Sequence, residues 1–299
     1  MTISQAAAGA PRIGLIRSLV ALTKPRIIEL LLVTAVPTMF LAAAGLPPLG
    51  TAVLVVIGGW LAAAGANAFN SYLERDIDAA MSRTQHRPLV RGDVSPRTAL
   101  VLGWLLSIAA VAIFATLLTP LSALLAALAI VLYVVVYTML LKRRTPQNIV
   151  WGGAAGCMPV LIAWSAITGT LSLTPLVLFM VVFLWTPPHY WPLSMRYRED
   201  YVAAGVPMLP TVRSPRSVGR QIIGYAWATV AASLVLVPVA PMGWVYTVTA
   251  AVLGGWLLVL AYRCARRAGE DRAAMALFHG SISYLALLFI AVGLDPFLP

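Results

Sequence analysis

Thr51-Ala-Val-Leu-Val-Val-Ile-Gly-Gly-Trp60-Leu-Ala-Ala-Ala-Gly65-Ala-Asn67-Ala-Phe-Asn70-Ser-Tyr-Leu-Glu74-Arg-Asp-Ile-Asp78-Ala-Ala-Met-Ser-Arg83-Thr-Gln-His-Arg87-Pro-Leu is apolar for twenty residues and then turns abruptly to carboxylates and arginines. The first part is long enough for a helix to cross a hydrocarbon layer about 30 Å thick. The second part begins where that layer ends. On a helix, positions 70, 74 and 78 recur at i, i+4 and i+8, so an amide and two carboxylates line one face within two turns. That is a geometry for holding a hard cation.

The rest of the chain repeats the apolar pattern. Hydrophobic residues make up 61% of the 299 and charged residues 10%, where a soluble domain carries roughly 25% charged. The fold expected is an all-α, polytopic membrane protein in one domain over 1–299, with apolar windows near 27–45, 51–71, 98–117, 121–141, 148–168, 173–193, 219–237, 243–262 and 276–294. Nine windows imply nine transmembrane helices.

Charge tests that count. With the N-terminus inside and connections alternating between the two sides, all 21 lysines and arginines fall in the N-terminal segment, between windows 2 and 3, 4 and 5, 6 and 7, or 8 and 9. The outside connections carry none. Retention of basic residues on the cytoplasmic side therefore fixes the orientation, N-terminus inside and C-terminus outside, because one helix more or fewer would scatter them. The net charge of +11 is then a topological signal and no sign of nucleic-acid binding; affinity for anionic membrane lipid is its by-product. Residues 1–23 lack the apolar core and cleavage site of a secretory signal, and Arg12 with Arg17 suggests a short surface helix on the cytoplasmic side. A bacterial inner membrane is the expected location. Cys157 and Cys264 lie in different helices without metal-ligand spacing and read as small apolar fillers.

Two inside connections, 72–97 and 194–218, are long and hold six of the ten acidic residues: Glu74, Asp76, Asp78, Asp93, Glu199 and Asp200. Connections of this length are functional more often than structural, which directs the chemistry to the cytoplasmic face. The plain alternative for the first cluster is a helix end neutralised by Arg75, Arg83 and Arg87. Asn70 shifts the balance, since an amide oxygen one turn deeper completes a site of the kind Mg²⁺ uses, with carboxylates, water and substrate phosphates. Arg83, Arg87 and Arg91 offer planar donors suited to phosphate oxygens. In the second segment, Thr186-Pro-Pro-His189-Tyr-Trp-Pro-Leu-Ser-Met-Arg196-Tyr-Arg-Glu199-Asp200, three prolines are expected to bend or break the sixth span. Acids at 199 and 200 could bring a second Mg²⁺ to the same diphosphate. Two acidic clusters on one cavity suit the ionisation of a prenyl diphosphate, with Tyr72, Tyr190, Trp191 or Tyr197 facing the allylic cation or anchoring at the interface. An ion-coupled transporter would place its acids at the midplane of broken helices, and a phosphatidyltransferase would carry a DGxxAR run, which this chain lacks.

Asn70-xxx-Glu74-xxx-Asp78 resembles the first acidic motif of the UbiA-type intramembrane prenyltransferases. The resemblance extends over nearly the whole chain, through Lys24-Pro-Arg26, Met81-x-Arg83-Thr, Leu141-Lys142-Arg143-x-Thr145, Thr186-Pro-Pro-His189-x-Trp191 and Asp200-Tyr-x-x-Ala-Gly-x-Pro-Met-Leu-Pro210. The last two segments are similar to the branch of that family that farnesylates protoheme. The resemblance implies transfer of a farnesyl group from farnesyl diphosphate to a vinyl group of protoheme, water supplying a hydroxyl. Mg²⁺ would be held by Asn70, Glu74, Asp78 and Asp200, with Glu199 weaker. The diphosphate would be received by Arg83, Arg87, Lys142 and Arg143, and heme would meet His189 or His279. His86 would be a diphosphate donor or solvated. Heme A synthase and terminal-oxidase assembly are the partners implied downstream. A quinone-type aromatic prenyltransferase shares the first motif but has no need of His189 in its proline frame. Glu74 stands where many relatives have Asp, and Ala204 where a DxxxD pattern from Asp200 would place its second acid, which leaves one or two metals open.

Overall fold

The computed structural model describes residues 14–267 and 269–298, so Arg12 lies outside the described residues. Helices carry nearly all of the chain. A short helix, α1 (Leu15–Thr23), precedes α2 (Pro25–Ala42) and α3 (Leu49–Leu73). Two short helices, α4 (Arg75–Ala80) and α5 (Pro88–Arg91), lead to α6 (Pro96–Leu117) and α7, which runs from Pro120 to Val131 and continues as a π-helix over Leu132–Leu141. Then follow α8 (Asn148–Thr168), α9 (Leu173–Arg196), the short α10 (Arg198–Ala203) and α11 (Leu209–Val212), α12 (Pro215–Val239), α13 (Trp244–Arg266) and α14 (Asp271–Leu294).

Eight of these helices are long and apolar enough to cross a membrane: α3, α6, α7 with its continuation, α8, α9, α12, α13 and α14. In α2 the apolar run is shorter, Leu31–Ala42. Local chemistry sets the boundaries. Ser95 caps α6 by accepting from Thr98 N–H, Thr119 and Ser122 form a reciprocal capping box on α7, and Pro25, Pro96, Pro120 and Pro215 occupy first-turn positions where a missing N–H costs nothing. Gly169 ends α8 with a left-handed φ of 73°.

The prolines of α9 do not break it. Pro187, Pro188 and Pro192 all lie inside one helix that runs on to Arg196. The expectation of a bend rested on the backbone bonds that proline removes, yet all three rings are buried in a bundle where α9 packs along α8, α12 and α14, and neighbouring helices can hold a proline-rich segment in register. The two long connections likewise contain helices, α4 with α5 and α10 with α11.

Packing organises the bundle around α8. One apolar core joins α8 to α9, α12, α13 and α14 through Cys157, Trp185, Ile222, Leu257 and Leu288. A second joins the other face of α8 to α2, α3, α6 and α7 through Met39, Val55, Phe114 and Leu161. With no hydrophobic drive between helices in lipid, close approach depends on small residues. At the α3–α6 crossing a Cβ on Gly65 would lie 3.0 Å from the Gly103 carbonyl, and one on Gly103 would meet the Phe69 ring at 2.9 Å. The result is a cavity walled by α2, α3, α7, α8 and α9.

Candidate active site

The cavity has a volume of about 360 Å³ and two unlike ends. Charged and amide side chains from the end of α3, α4 and the junctions before α2 and after α7 form one end: Lys24, Asn70, Glu74, Asp78, Arg87 and Lys142. The other end, toward Ala35, Val55 and Ile162, is apolar.

The register expected at 70, 74 and 78 survives a break in the helix. Glu74 leaves α-helical geometry at φ −102°, ψ 13°, but its N–H still bonds Asn70 O at 2.9 Å and Asp78 N–H bonds Glu74 O at 2.8 Å, so the three side chains stay aligned. All three are buried, and each is matched to a base. Lys24 Nζ donates to Asn70 Oδ1 at 2.5 Å, Lys142 Nζ to Glu74 Oε1 at 2.5 Å, and Arg87 to both Asp78 oxygens at 2.6 and 2.7 Å. Burial pushes the Glu74 carboxyl up, but the Lys142 and Lys24 ammoniums outweigh it and hold the group below the usual carboxylate range. Burial, with repulsion from Arg87, pushes the Lys24 ammonium down to about 7.

The π-helix aims the opposite wall. Its wider winding carries Lys142 N–H to Tyr137 O and lets the Thr138 hydroxyl donate to Tyr133 O at 2.8 Å while accepting from Asn70 Nδ2 at 3.0 Å. Tyr133 and Tyr137 thereby stack at 5.7 Å and both line the cavity.

The two long connections meet at the same end. The Asp200 carboxylate accepts from the N–H and hydroxyl of Ser82 at 3.2 and 2.9 Å, and Arg83 donates to the Tyr201 hydroxyl at 2.9 Å, which in turn bonds the Tyr190 hydroxyl at 3.0 Å. Partial burial pushes the Asp200 carboxyl up, and the Ser82 bonds bring it below its ordinary value. Asp200 does not line the cavity, whereas Arg83 and Tyr190 do. Glu199 and His86 are exposed. Arg143 lies outside the cavity, paired through two 2.7 Å contacts with Asp76, whose carboxyl that guanidinium holds down to about 2.

The histidines lie off the cavity wall. His189 is sandwiched between Trp185 and Phe278, ring centroids 4.2 and 4.7 Å away, and its Nδ1 shares a 2.9 Å bond with the Ser281 hydroxyl. It clips α9 to α14 beside Trp185, Thr186 and Tyr190, which do face the cavity. His279 is exposed on α14. Of the aromatic candidates, Tyr72 lies against Arg75, Trp191 is wholly buried in the core, Tyr197 lies under Arg83, and Tyr190 alone lines the cavity.

A buried, charge-compensated wall at one end of an apolar cavity suits a molecule with an anionic head and a hydrocarbon tail. The family model for UbiA prenyltransferases matches residues 31–282. The chain belongs to the UbiA prenyltransferase family. A protoheme IX farnesyltransferase from Clavibacter michiganensis subsp. michiganensis is 56% identical over 285 residues, covering 95% of this chain and 93% of its own. Among solved structures, a digeranylgeranylglyceryl phosphate synthase superposes with a TM-score of 0.79 at 14% identity over 95% of this chain and 99% of its own. A UbiA homologue from Archaeoglobus fulgidus bound to GPP and Mg²⁺ superposes at 0.67 with 17% identity over 92% and 99%. The UbiA fold is thus shared, and the chain is an integral, multi-pass membrane protein.

The UbiA cavity also holds residues that sequence reasoning passed over. Tyr133 and Tyr137, spaced i, i+4 in an apolar helix, were open to the same face argument that singled out Asn70 and Glu74. Lys24 was visible as a base at the mouth of the first span. Trp185 carried no signal beyond its place in an apolar window.

Proposed function

We propose that this chain transfers the farnesyl group of farnesyl diphosphate to a vinyl group of protoheme, giving the hydroxyethylfarnesyl side chain of heme O. The observation that carries the prenyl half is the paired polar wall of Lys24, Asn70, Glu74, Asp78, Arg87 and Lys142 closing an apolar cavity. The acceptor follows from the 56% identical relative, named for its action on protoheme.

The donor set fits Mg²⁺. Asn70 Oδ1, Glu74 Oε1 and the Asp78 oxygens each keep a lone pair beyond the hydrogen bonds they accept. Among the described residues no three acid, histidine or cysteine side chains converge, so the ion would have to complete its shell with the Asn70 amide, water and substrate phosphates. Asn70, Glu74 and Asp78 would hold Mg²⁺, which when bound supplies positive charge to the departing diphosphate, while Asp200 is taken up by Ser82 outside the cavity.

Lys142, Arg87, Arg83 and Lys24 receive the diphosphate oxygens and stabilise the charge that grows on them as the allylic C–O bond breaks. Arg143, held by Asp76, fixes the end of α7 against the α3–α4 junction. Tyr133, Tyr137 and Tyr190 line the cavity, where aromatic surface would stabilise the allylic cation and keep water from it until the vinyl carbon has attacked. Electrons flow from the vinyl group to farnesyl C1, diphosphate leaves, and water adds to the new cation with loss of a proton. No protein nucleophile is needed. Neither His189, held between Trp185 and Phe278, nor exposed His279 lines the cavity, so the reading gives heme no imidazole from that wall.

The distribution of basic residues supports a site at the cytoplasmic face of a bacterial cell membrane. It also favours nine crossings, with α2 as the first, over one domain spanning 1–299. The test supplies folded protein in membranes with heme b, farnesyl diphosphate and Mg²⁺ and follows heme by mass. Farnesylated heme that disappears on chelation and in Asp78→Asn is the expected result. Transfer to a quinone-type phenol instead of heme would overturn the acceptor.

A further inference from the structure

We propose that Gly59 and Gly156 hold open the apolar arm of the cavity and thereby set the length of prenyl chain the protein accepts. The inference rests on the prenyl-transfer reading above and adds its specificity.

Glycine inside a helix is less stable than alanine, so each one invites a steric reason. Most interior glycines here have one. A Cβ on Gly58 would meet the Phe114 ring at 2.7 Å, on Gly152 it would run into the Tyr137 ring, and on Gly153 it would meet the Thr186 side chain at 3.0 Å. At Gly59 and Gly156 a Cβ would meet nothing within 4 Å. Other helical glycines with such open surroundings, Gly50, Gly224 and Gly255, are exposed on the outside of the bundle. Gly59 and Gly156 are only half-exposed, and both line the cavity. The space beside them is therefore interior space, and packing does not explain their lack of a side chain.

Their depth matches the length of a prenyl tail. Gly59 precedes Asn70 by eleven residues on α3, about 16 Å along the axis, and Val55, deeper on the same wall, lies about 22 Å from Asn70. From the other wall, Gly156 lies eight residues into α8, about 12 Å from its start, with Ile162 about 21 Å from it. An extended isoprene unit adds about 5 Å. With the diphosphate occupying the first 5 Å or so beside Asn70 and Glu74, a two-unit tail ends at about 15 Å, level with Gly59, and a three-unit tail at about 20 Å, short of Val55. A side chain at 59 would meet the tail where its third unit begins and leave the room of the first two, and one at 156 would narrow the same arm from the α8 wall.

The full chain in membranes, with Mg²⁺ and heme b, is assayed with geranyl, farnesyl and geranylgeranyl diphosphate for wild type, Gly59→Val, Gly156→Val, the two alanine variants and the control Gly224→Val. In parallel, thiolo analogues of geranyl and farnesyl diphosphate are tested for protection against thermal unfolding, a readout that needs no acceptor. The valine variants should lower the farnesyl-to-geranyl ratio of kcat/KM by about tenfold or more, with smaller shifts for alanine. Protection should move toward the geranyl analogue, and Gly224→Val should match wild type. A ratio within twofold of wild type, a parallel loss for both donors, or a raised KM for heme at constant ratio overturns the proposal, the last by giving the arm to the porphyrin. If valine at either position prevents accumulation, the alanine variants decide by the same ratio. Failure of wild type to farnesylate heme refutes the acceptor alone, because analogue protection still reads the arm.

Discussion

The Glu74–Lys142 pair separates what the polar wall does for stability from what it does for transfer. Lys142 Nζ lies 2.5 Å from Glu74 Oε1, and the side chains are 12% and 3% exposed. Removing one member of a buried pair strands the other, at about 3–5 kcal/mol. Lys24 is close enough to Glu74 to soften that penalty, so about 3 kcal/mol is expected for Lys142→Gln and for Glu74→Gln. In a chain this long that is roughly 6 °C in Tm. The double variant leaves no stranded charge, and two neutral amides can bond one another. It should recover about 2 kcal/mol relative to the sum of the singles. Transfer should not recover. Each single removes a group that meets diphosphate or metal, with a loss on the order of 100-fold, and the double lacks both. The assay is thermal unfolding in detergent beside farnesyl transfer in membranes. Strictly additive stabilities would refute the buried pair, and a double variant with near wild-type turnover would refute the assignment of the wall to diphosphate.

Tyr137→Leu keeps an apolar surface but removes a ring from the Tyr133 stack, and kcat for farnesyl transfer should fall about 10- to 30-fold with KM for the diphosphate little changed, as measured by initial rates. Heme titrations followed by absorbance should differ between histidines: His279→Ala, on the exposed face of α14, leaves the spectrum as in wild type, and His189→Ala alters it by unclipping α9 from α14. Asp76 sits at about 2 against an ordinary 3.8 because Arg143 bonds it. A carboxyl lowered on folding stabilises the protein fully above the ordinary value and loses that contribution as pH falls toward 2. Asp76→Asn should therefore shift Tm by the same small amount at pH 6 and pH 8, since the pair is largely exposed.

Hydropathy made the helices legible before any coordinates, because a membrane leaves the backbone few options, although the first of the nine windows falls on α2, whose apolar run is only Leu31–Ala42. The window near 51–71 became Leu49–Leu73 and that near 148–168 became Asn148–Thr168. The i, i+4, i+8 spacing of Asn70, Glu74 and Asp78 correctly placed three side chains together, although the helix breaks at Glu74, because the backbone bonds run across the break. What stayed hidden depended on partners far along the chain. Nothing at 142 announces that Lys142 will reach Glu74 while its neighbour Arg143 turns outward to Asp76. That difference arises from the π-helical winding before them, which hydropathy does not register. The proline run misled for a related reason: its effect was judged from local backbone bonding, while packing along α8, α12 and α14 decided it.

The paired wall also bears on how many metal ions the site takes. Glu74 and Asp78 could not remain buried and ionised alone, so cations must lie beside them before any substrate arrives. Lys142 and Arg87 fill that need. Arg83 and Lys24 are then in excess over the two carboxylates, which leaves the wall net positive. A prenyl diphosphate brings roughly three negative charges. On the proposed reading, one Mg²⁺ would bring the substrate-loaded site close to neutral, whereas a second would add positive charge in a cavity where unbalanced charge is expensive. Asp200 is consistent with the smaller number. It lies outside the cavity, bonded to Ser82, and Ala204 one turn on supplies no second carboxylate. The second connection therefore docks on the first, through Asp200 to Ser82 and Tyr201 to Arg83, and so fixes the Arg83 guanidinium at the cavity wall, where the proposed reading brings the diphosphate.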